Sequence, residues 1–431
     1  MSNWRKQAWG RSGAAALAVG LSLAAGSAAA APLKLTLSGN PGHMKALTPI
    51  IDRFEQSHPD IQIEVLAKEM NPDAITAAAA AGTMPDIIES AGTFTQQYAA
   101  KGLMAPLDAF VAGEPAGFLQ DFFPAAMDTG NTYDGKLYSL PTFLQIEGGY
   151  TNPDVLAEAG VAAPKPGWTW ADLRQLSQKS RRVDADGKPV VWGAVAGHPL
   201  QFDVPLLGQA GAELVDAQYR VTADSDAVKD VYNWIEGMLK EGLLVYRCCG
   251  ASGPGFSNDA YAHKTAFAAD ATYRQDFWDQ NKSPMVTAPP LRESAGSPPA
   301  SSFSTRSWGI MNVSPERQKA AWTLIRYLLS AQVNSAFCTA LGYPPATTSA
   351  VQAPPFQGYL LTHKNMQIWT SLYPQINNAH AWPDSFGSTN VRDVFIKDST
   401  VFLQQKVSVV QFIGNLSAHL EATAKDFLAA K

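Results

Sequence analysis

Residues 33–38, LKLTLS, alternate apolar and polar side chains, the period-two pattern of a strand with one buried face. After the turn-rich stretch at 39–43 the period changes. Leu47, Ile50, Ile51 and Phe54 recur at helical spacing, and His58-Pro59 ends the run. A second alternating run, IQIEVLA at 61–67, follows, so strand, helix and strand predict a right-handed parallel βαβ unit. An alanine-rich helix over 75–81 and a third strand led by Asp86-Ile87-Ile88 come next, then a short helix over 93–101. At 133–156 a turn at Asp134-Gly135 opens an alternating run that stops at Pro141. Proline has no N–H to give a ladder, so the runs on its two sides read as separate elements with a break between them. Asn152-Pro153 starts a short amphipathic helix that ends at Gly160. Further on, the pattern predicts a helix from Trp168 to about Arg182 and a strand over VVWGAVAG at 190–197. Residues 226–239 read as an amphipathic helix on Val228, Val231, Trp234, Ile235 and Met238. A helix capped by Ser314 with Pro315 at its first position follows, and the tail to Lys431 is helical.

The ends and the composition narrow this picture. Arg5, Lys6 and Arg11 precede a short apolar stretch at 14–25 and an A-x-A site at 28–30, the arrangement of a cleaved secretory signal, with cleavage expected after Ala30. That apolar stretch is short and alanine-rich for a membrane span. No cysteine stands at the cut, so no lipid anchor is expected, and export to a periplasm follows. Removing the signal takes three positive charges and no negative ones, so the net charge of −5 falls to −8. An acidic chain without a basic cluster argues against nucleic acid or anionic lipid as a partner. About 400 mature residues exceed one ordinary core and favour two. Three cysteines do not make a disulfide scaffold. In an oxidising compartment one bridge is expected, either between the adjacent Cys248 and Cys249 or from Cys338 to one of them; three buried thiols is the alternative.

DGKLYSLP at 134–141, followed by YTNPDVLAEAGV at 150–161 and PKPGWTWADL at 164–173, resembles the extracellular solute-binding proteins of sugar-type ABC importers. FEQSHPDIQIEV, GTMPDII, SSFSTRSWGIM, SPERQKAAWTLIRYLLS and ALGYPPATTSAV are similar to the same family in the right order, so the resemblance runs from about 33 to 350. It implies a two-lobe α/β fold of the periplasmic binding protein type (type II), with hinge crossings and a central ligand cleft. The expected division is a signal at 1–30, a first lobe at 31–142 and 266–312, and a second lobe at 143–265 and 313–431. HKTAFAAD would be the strand that returns the chain to the first lobe. Hinge closure, a monomer that docks on a membrane permease, and no cofactor are the further implications, since transport energy would come from the partner's ATPase.

A sugar offers polar edges and apolar faces, so its site needs aromatic rings and planar polar side chains in a largely preformed cleft. Strand ends and crossings are where open α/β sheets bind ligands, and candidates are taken from there. Asn40 and His43 follow the first strand, Glu89 and Ser90 end the third, and Phe143 and Gln145 lie at the first crossing. His198 and Gln201 open the loop after VVWGAVAG. Asp270 and Thr272 end the FAAD strand; a buried Asp270 needs a partner, either a ligand hydroxyl or Arg274. The resemblance places Trp308 at a lobe exit where the family often sets a stacking ring, and Tyr343 where its sugar and glycerol-phosphate members turn a tyrosine to the ligand. Arg306 could receive an anionic group, and Trp382 with Asp384 lies in a turn-rich stretch.

Catalytic and metal signatures are missing: there is no H-E-x-x-H, no G-x-S-x-G, no Walker loop, and the seven histidines stand singly. No metal ligand is therefore expected. The leading expectation is capture of a neutral saccharide. An anionic polyol or sugar is the second, kept open by Arg306 and weakened by Asp384, near which the glycerol-phosphate members carry an arginine. A secreted glycoside-active enzyme is the third.

Overall fold

The computed structural model describes residues 31–372 except 217 and 254, together with 377–378 and 389–429. The expected signal, Trp382 and Asp384 lie outside the described residues.

Two sheets organise the chain. The first has five strands in the order Ile61–Leu66, Leu33–Ser38, Ile87–Ser90, Ser307–Ile310, Ser139–Pro141. The first three run parallel, and Ser307–Ile310 is antiparallel to both its neighbours. The helix Pro41–Ser57 connects the first two strands in sequence and buries Met44, Leu47, Ile50, Ile51 and Phe54. Asn40 caps its N-terminus, accepting from the backbone N–H groups of Gly42 and His43. Each such side chain removed from water contributes roughly 1.5–3 kcal/mol, so this one helix face anchors the sheet.

The second sheet runs Leu244–Tyr246, Pro189–Ala196, Thr265–Ala271, Gln145–Thr151, Val286–Thr287. Pro189–Ala196 is parallel to Leu244–Tyr246 and to Thr265–Ala271, and Gln145–Thr151 is antiparallel to Thr265–Ala271. A capping box between Thr169 and Asp172 starts the helix Trp170–Ser180, and His198 caps Pro199–Gln209. The amphipathic helix Asp226–Lys240 packs on the C-terminal helix Val409–Ala429, which also packs against Thr389–Leu403.

The chain passes between the sheets at two adjacent places. Pro141 is the last residue in the first sheet and Gln145 the first in the second; Ser304 pairs in the second sheet and Ser307 in the first. The passages are bonded side by side, Thr142 N donating to Arg306 O at 2.8 Å, and the first is also held to the loop after Ala331–Leu341, Leu144 N donating to Pro344 O at 2.8 Å. A third passage lies between the helices Pro354–Leu360 and Lys364–Leu372, the first packed on Ala331–Leu341 and the second on Val286–Thr287.

Three expectations are corrected. Thr265–Ala271 sits inside the second sheet, so the chain returns to the first sheet at 305–306 and not at 266. The helices Pro315–Leu328 and Ala331–Leu341 pack on strands Leu33–Ser38 and Ser307–Ile310 and on the helix Pro41–Ser57, so this part of the chain belongs with the first sheet and not with the second. A buried apolar strand or an amphipathic helix satisfies either sheet, and its own pattern does not say which. The third concerns Trp308, which lies in an interior strand opposite Glu89 and Leu140. Helices cover it, its exposure is 0%, and its nearest ring is Phe337 at 6.2 Å. It is a core residue and presents no face to a ligand.

Trp308→Ala is therefore expected to cost about 3–5 kcal/mol of stability, read by urea unfolding; a loss below about 1 kcal/mol would show that the ring is not core.

Candidate ligand cleft

The C-terminal ends of strands Leu33–Ser38 and Ile87–Ser90 form one wall. Glu89 is buried; its carboxylate accepts from Asn40 N at 3.0 Å and pairs with His43 Nδ1 at 2.8 Å. The His43 ring stands edge-on to Phe143 at 5.3 Å and to Tyr343 at 6.2 Å, and those two rings stack at 4.3 Å. Four sequence candidates, Asn40, His43, Phe143 and Tyr343, are thus brought together around Glu89. Phe143 is buried, Asn40, His43 and Tyr343 are half-buried, and of these Asn40 has its Oδ1 engaged as the helix cap.

The opposite wall is built at the ends of the second sheet. Asp270, with no exposed surface, accepts at Oδ2 from Tyr261 OH at 2.8 Å and Arg274 Nε at 2.9 Å, with Arg247 Nη1 at 3.6 Å. At Oδ1 it accepts from Gln201 Nε2 at 3.1 Å and from Ala271 N at 2.9 Å. The carboxylate is satisfied within the protein, so Arg274, Arg247 and Tyr261 are its partners where a ligand hydroxyl was one expectation. Gln201 Nε2 also donates to Tyr273 OH at 2.7 Å. A Cβ at Gly197 would stand 2.2 Å from Gln201 Oε1, so only glycine admits this amide to the strand end. Burial, and after it the charge of Asp270, pushes the Tyr273 hydroxyl up to about 12, so it stays protonated at neutral pH.

The remaining candidates have other partners. Ser90 is buried in a hydroxyl network, 2.7 Å from Thr95 Oγ1, and Thr272 Oγ1 accepts from Ile146 N at 3.2 Å. Ser90 ties its strand to the helix Gly92–Ala100, and Thr272 ties the turn after Thr265–Ala271 to strand Gln145–Thr151. Gln145 Nε2 donates to Glu147 Oε1 at 2.9 Å. Arg306, on the second passage, is ion-paired with Glu69. His198 Nδ1 accepts from Leu200 N at 3.2 Å, and burial lowers its pKa. Cys248 and Cys249 are bridged to each other, and Cys338 is a buried free thiol whose pKa burial raises. His198 and the two bridged sulfurs lie within 4.8 Å of one another, with the sulfurs committed to their own bond.

Sequence reasoning missed Tyr273, Arg247, Tyr261 and Glu147. Tyr273 could have been found by its place just past a strand end, and Glu147 as a lone acid in the run QIEGG directly after a crossing. Glu147 is 6% exposed, and burial pushes its carboxyl up to about 8, the Gln145 bond opposing.

Two α/β bodies with paired passages between them, and facing strand ends rich in aromatic and planar polar groups, define a two-lobe periplasmic binding protein. A family model for bacterial extracellular solute-binding proteins matches residues 49–363, and the chain belongs to that family. A mannitol-binding protein of Pseudomonas aeruginosa is 26% identical over 245 residues, 54% of this chain and 54% of that one. The chain thus spans about half the length of this curated relative in the matched region. The fold is similar to the sugar-binding protein MalE of Xanthomonas citri, with TM-score 0.74 and 18% identity over 91% of this chain and 98% of that one. It is also similar to UgpB from Mycobacterium tuberculosis in complex with glycerophosphocholine, with TM-score 0.75 and 16% identity over 92% and 98%.

The buried Glu147 links stability to pH. Its unfolded carboxyl ionises near 4.5 while the folded one holds its proton to about 8, so the unfolded state loses a proton first and stability falls as pH rises across that window. Asp203, pushed up to about 7 by burial, acts in the same direction. Glu147→Gln should therefore gain stability relative to the parent chain between pH 5 and pH 8, by a few kcal/mol at most, measured by urea unfolding at both values. An equal difference at the two pH values would show that Glu147 is ionised in the folded protein.

Proposed function

We propose that this chain captures a neutral sugar or sugar alcohol between its lobes in the periplasm, by hinge closure, and delivers it to the membrane permease of an ABC importer. The observation that carries the neutral charge is the state of the arginines on the facing walls. Arg247 and Arg274 are held by Asp270, and Arg306 by Glu69. Their charge is shared with those carboxylates, so an anionic solute would have to compete with Asp270 and Glu69 for it. What faces a solute is an aromatic and amide set, Tyr343, His43, Gln201 and Tyr273, which suits the faces and hydroxyl edges of a polyol. The mannitol-binding relative and the fold likeness to sugar-binding proteins support this reading. The basic, apolar and A-x-A sequence at 1–30 supports export, and the family supports a permease as partner.

The test is thermal unfolding of the chain without residues 1–30, against mannitol, glucose, maltose, gluconate and glycerol 3-phosphate. Ligand at a hundred times its Kd contributes about 2.7 kcal/mol, which appears as a rise of a few degrees. A rise with the neutral compounds is expected. Gln201→Ala and Tyr273→Ala should weaken binding at least about tenfold, the loss of one good polar or stacking contact. A rise confined to gluconate or glycerol 3-phosphate would reverse the charge assignment, and consumption of maltose would return the glycoside-active enzyme.

A further inference from the structure

Behind the second wall a cavity of about 40 Å³ reaches into the second body, lined by Glu147, Gln201, Trp168, Phe202, Phe267 and Trp369 among others. That is room for about two waters or one hydroxymethyl group. Its walls are mostly apolar rings and aliphatic side chains. Trp369 closes directly on the strand carrying Glu147, because Gly148 has no Cβ: one there would stand 1.9 Å from the ring.

The other polar groups on the walls are already engaged. Gln209 Oε1 accepts from Trp170 Nε1 at 2.7 Å and its Nε2 donates to Ala300 O at 3.1 Å. Trp168 Nε1 donates to Pro289 O at 2.8 Å, and Ser301 Oγ donates to Glu147 O. Glu147 Oε2 is different: it is buried and makes no hydrogen bond among the described residues, although the Gln201 amide is near enough to oppose the rise in its pKa. An unpaired buried polar atom costs about 1–3 kcal/mol, which a ligand group can recover. Gln145 donates to Oε1, so the acid proton of the neutral carboxyl belongs on Oε2. Gln201 joins this cavity to the cleft, lining the one and bonding Asp270 and Tyr273 at the other.

We propose that the cavity is a subsite of the cleft that takes the terminal hydroxymethyl group of the captured sugar or sugar alcohol, with Glu147 Oε2 reading its hydroxyl. This rests on the function proposed above and assigns the end of the ligand that enters first. A hydroxyl can accept the carboxyl proton while its CH₂ meets the apolar rings, so both kinds of wall are used. An anionic end would meet the Glu147 carboxyl with the charge of Asp270 beside it. The charged and titratable groups that bear on Glu147 are Asp270 and Arg274, with Tyr273 and Tyr150 close enough to feel it.

The experiment is titration calorimetry of the chain without residues 1–30, as parent, Glu147→Leu and Glu147→Gln. The probes are mannitol against 1,6-dideoxymannitol, which lacks both terminal hydroxyls, and glucose against 6-deoxyglucose. The parent is expected to prefer the hydroxylated member of a pair by at least about tenfold, as sites built to bond a hydroxyl do. Glu147→Leu should bring that ratio close to one, whereas Glu147→Gln, which keeps an N–H donor, should retain most of it. A merely structural role for Glu147 would lower affinity for both members alike, leave the ratio in place, and overturn the proposal. Should the leucine variant not fold, Glu147→Met is read in its place, with the same two outcomes. Binding by the parent with no preference for the hydroxylated members sinks this inference alone, while no binding of any of the four sinks the sugar reading and the subsite together.

Discussion

The hydrogen bonds that tie the passage at 142–144 to the passage at 303–306 and to the loop at 344–345 are what the rest of the molecule hangs on. Thr142 bonds Arg306, Leu144 bonds Pro344, and Ile146 pairs with Phe303. Each sheet has its own helices, and one apolar cluster continues from Leu140 and Trp308 of the first sheet to Ile146, Tyr150 and Ala268 of the second, so these short extended segments run along a shared core. Because neighbouring passages are laddered, a change of backbone angle in one has to be matched in the other, which favours a rotation over a slide. Pro141 and the Pro344-Pro345 pair stand at the ends of these bonds, where a missing N–H costs nothing.

The walls on either side depend on charge being settled before a solute arrives. Asp270 is wholly buried, which is tolerable only because two guanidiniums, a phenol and an amide converge on it. Its role is to hold Gln201, and through Gln201 the hydroxyl of Tyr273, at a fixed place. Glu89 does the same on the first wall, fixing His43 against Phe143 and Tyr343. Each wall therefore has a buried carboxylate behind it and aromatic and amide groups in front. Glu147 departs from this plan, since one of its oxygens has no partner among the described residues and its environment keeps it protonated.

Periodicity and punctuation alone were enough for the strands at 33–38 and 61–66, the helix between them, the break at Pro141 and the helix starts at Asn152 and Ser314. Each of these is decided within a few residues: alternation buries one face, a proline removes a donor, the Asn152 side chain meets the next N–H groups, and at Ser314, whose hydroxyl makes no cap bond, Pro315 opens the helix. The resemblance carried by DGKLYSLP and its companions reached further, to the two-lobe fold and the family. Of the site, it led to the strand ends that hold Asn40, His43, Gln201 and Asp270, because the end of a parallel strand is a property of topology.

Which sheet accepts a strand, and which way a ring points, were settled by packing across the fold. Thr265–Ala271 is apolar on both faces and would fit either sheet; its partners at 145–151 and 189–196 decided the matter. The resemblance placed Trp308 at a lobe exit as a stacking ring, yet strands flank it on both sides and Phe337, distant in sequence, helps to cover it. Asp270 could have met a ligand or an arginine, and only folding brought Arg247 to it alongside Arg274. The sequence by itself determined the elements, their order and the kind of protein, because those follow from short-range physics and recognisable local patterns. The tertiary structure alone decided burial, charge pairing and the inner cavity, because each depends on residues tens to hundreds of positions apart.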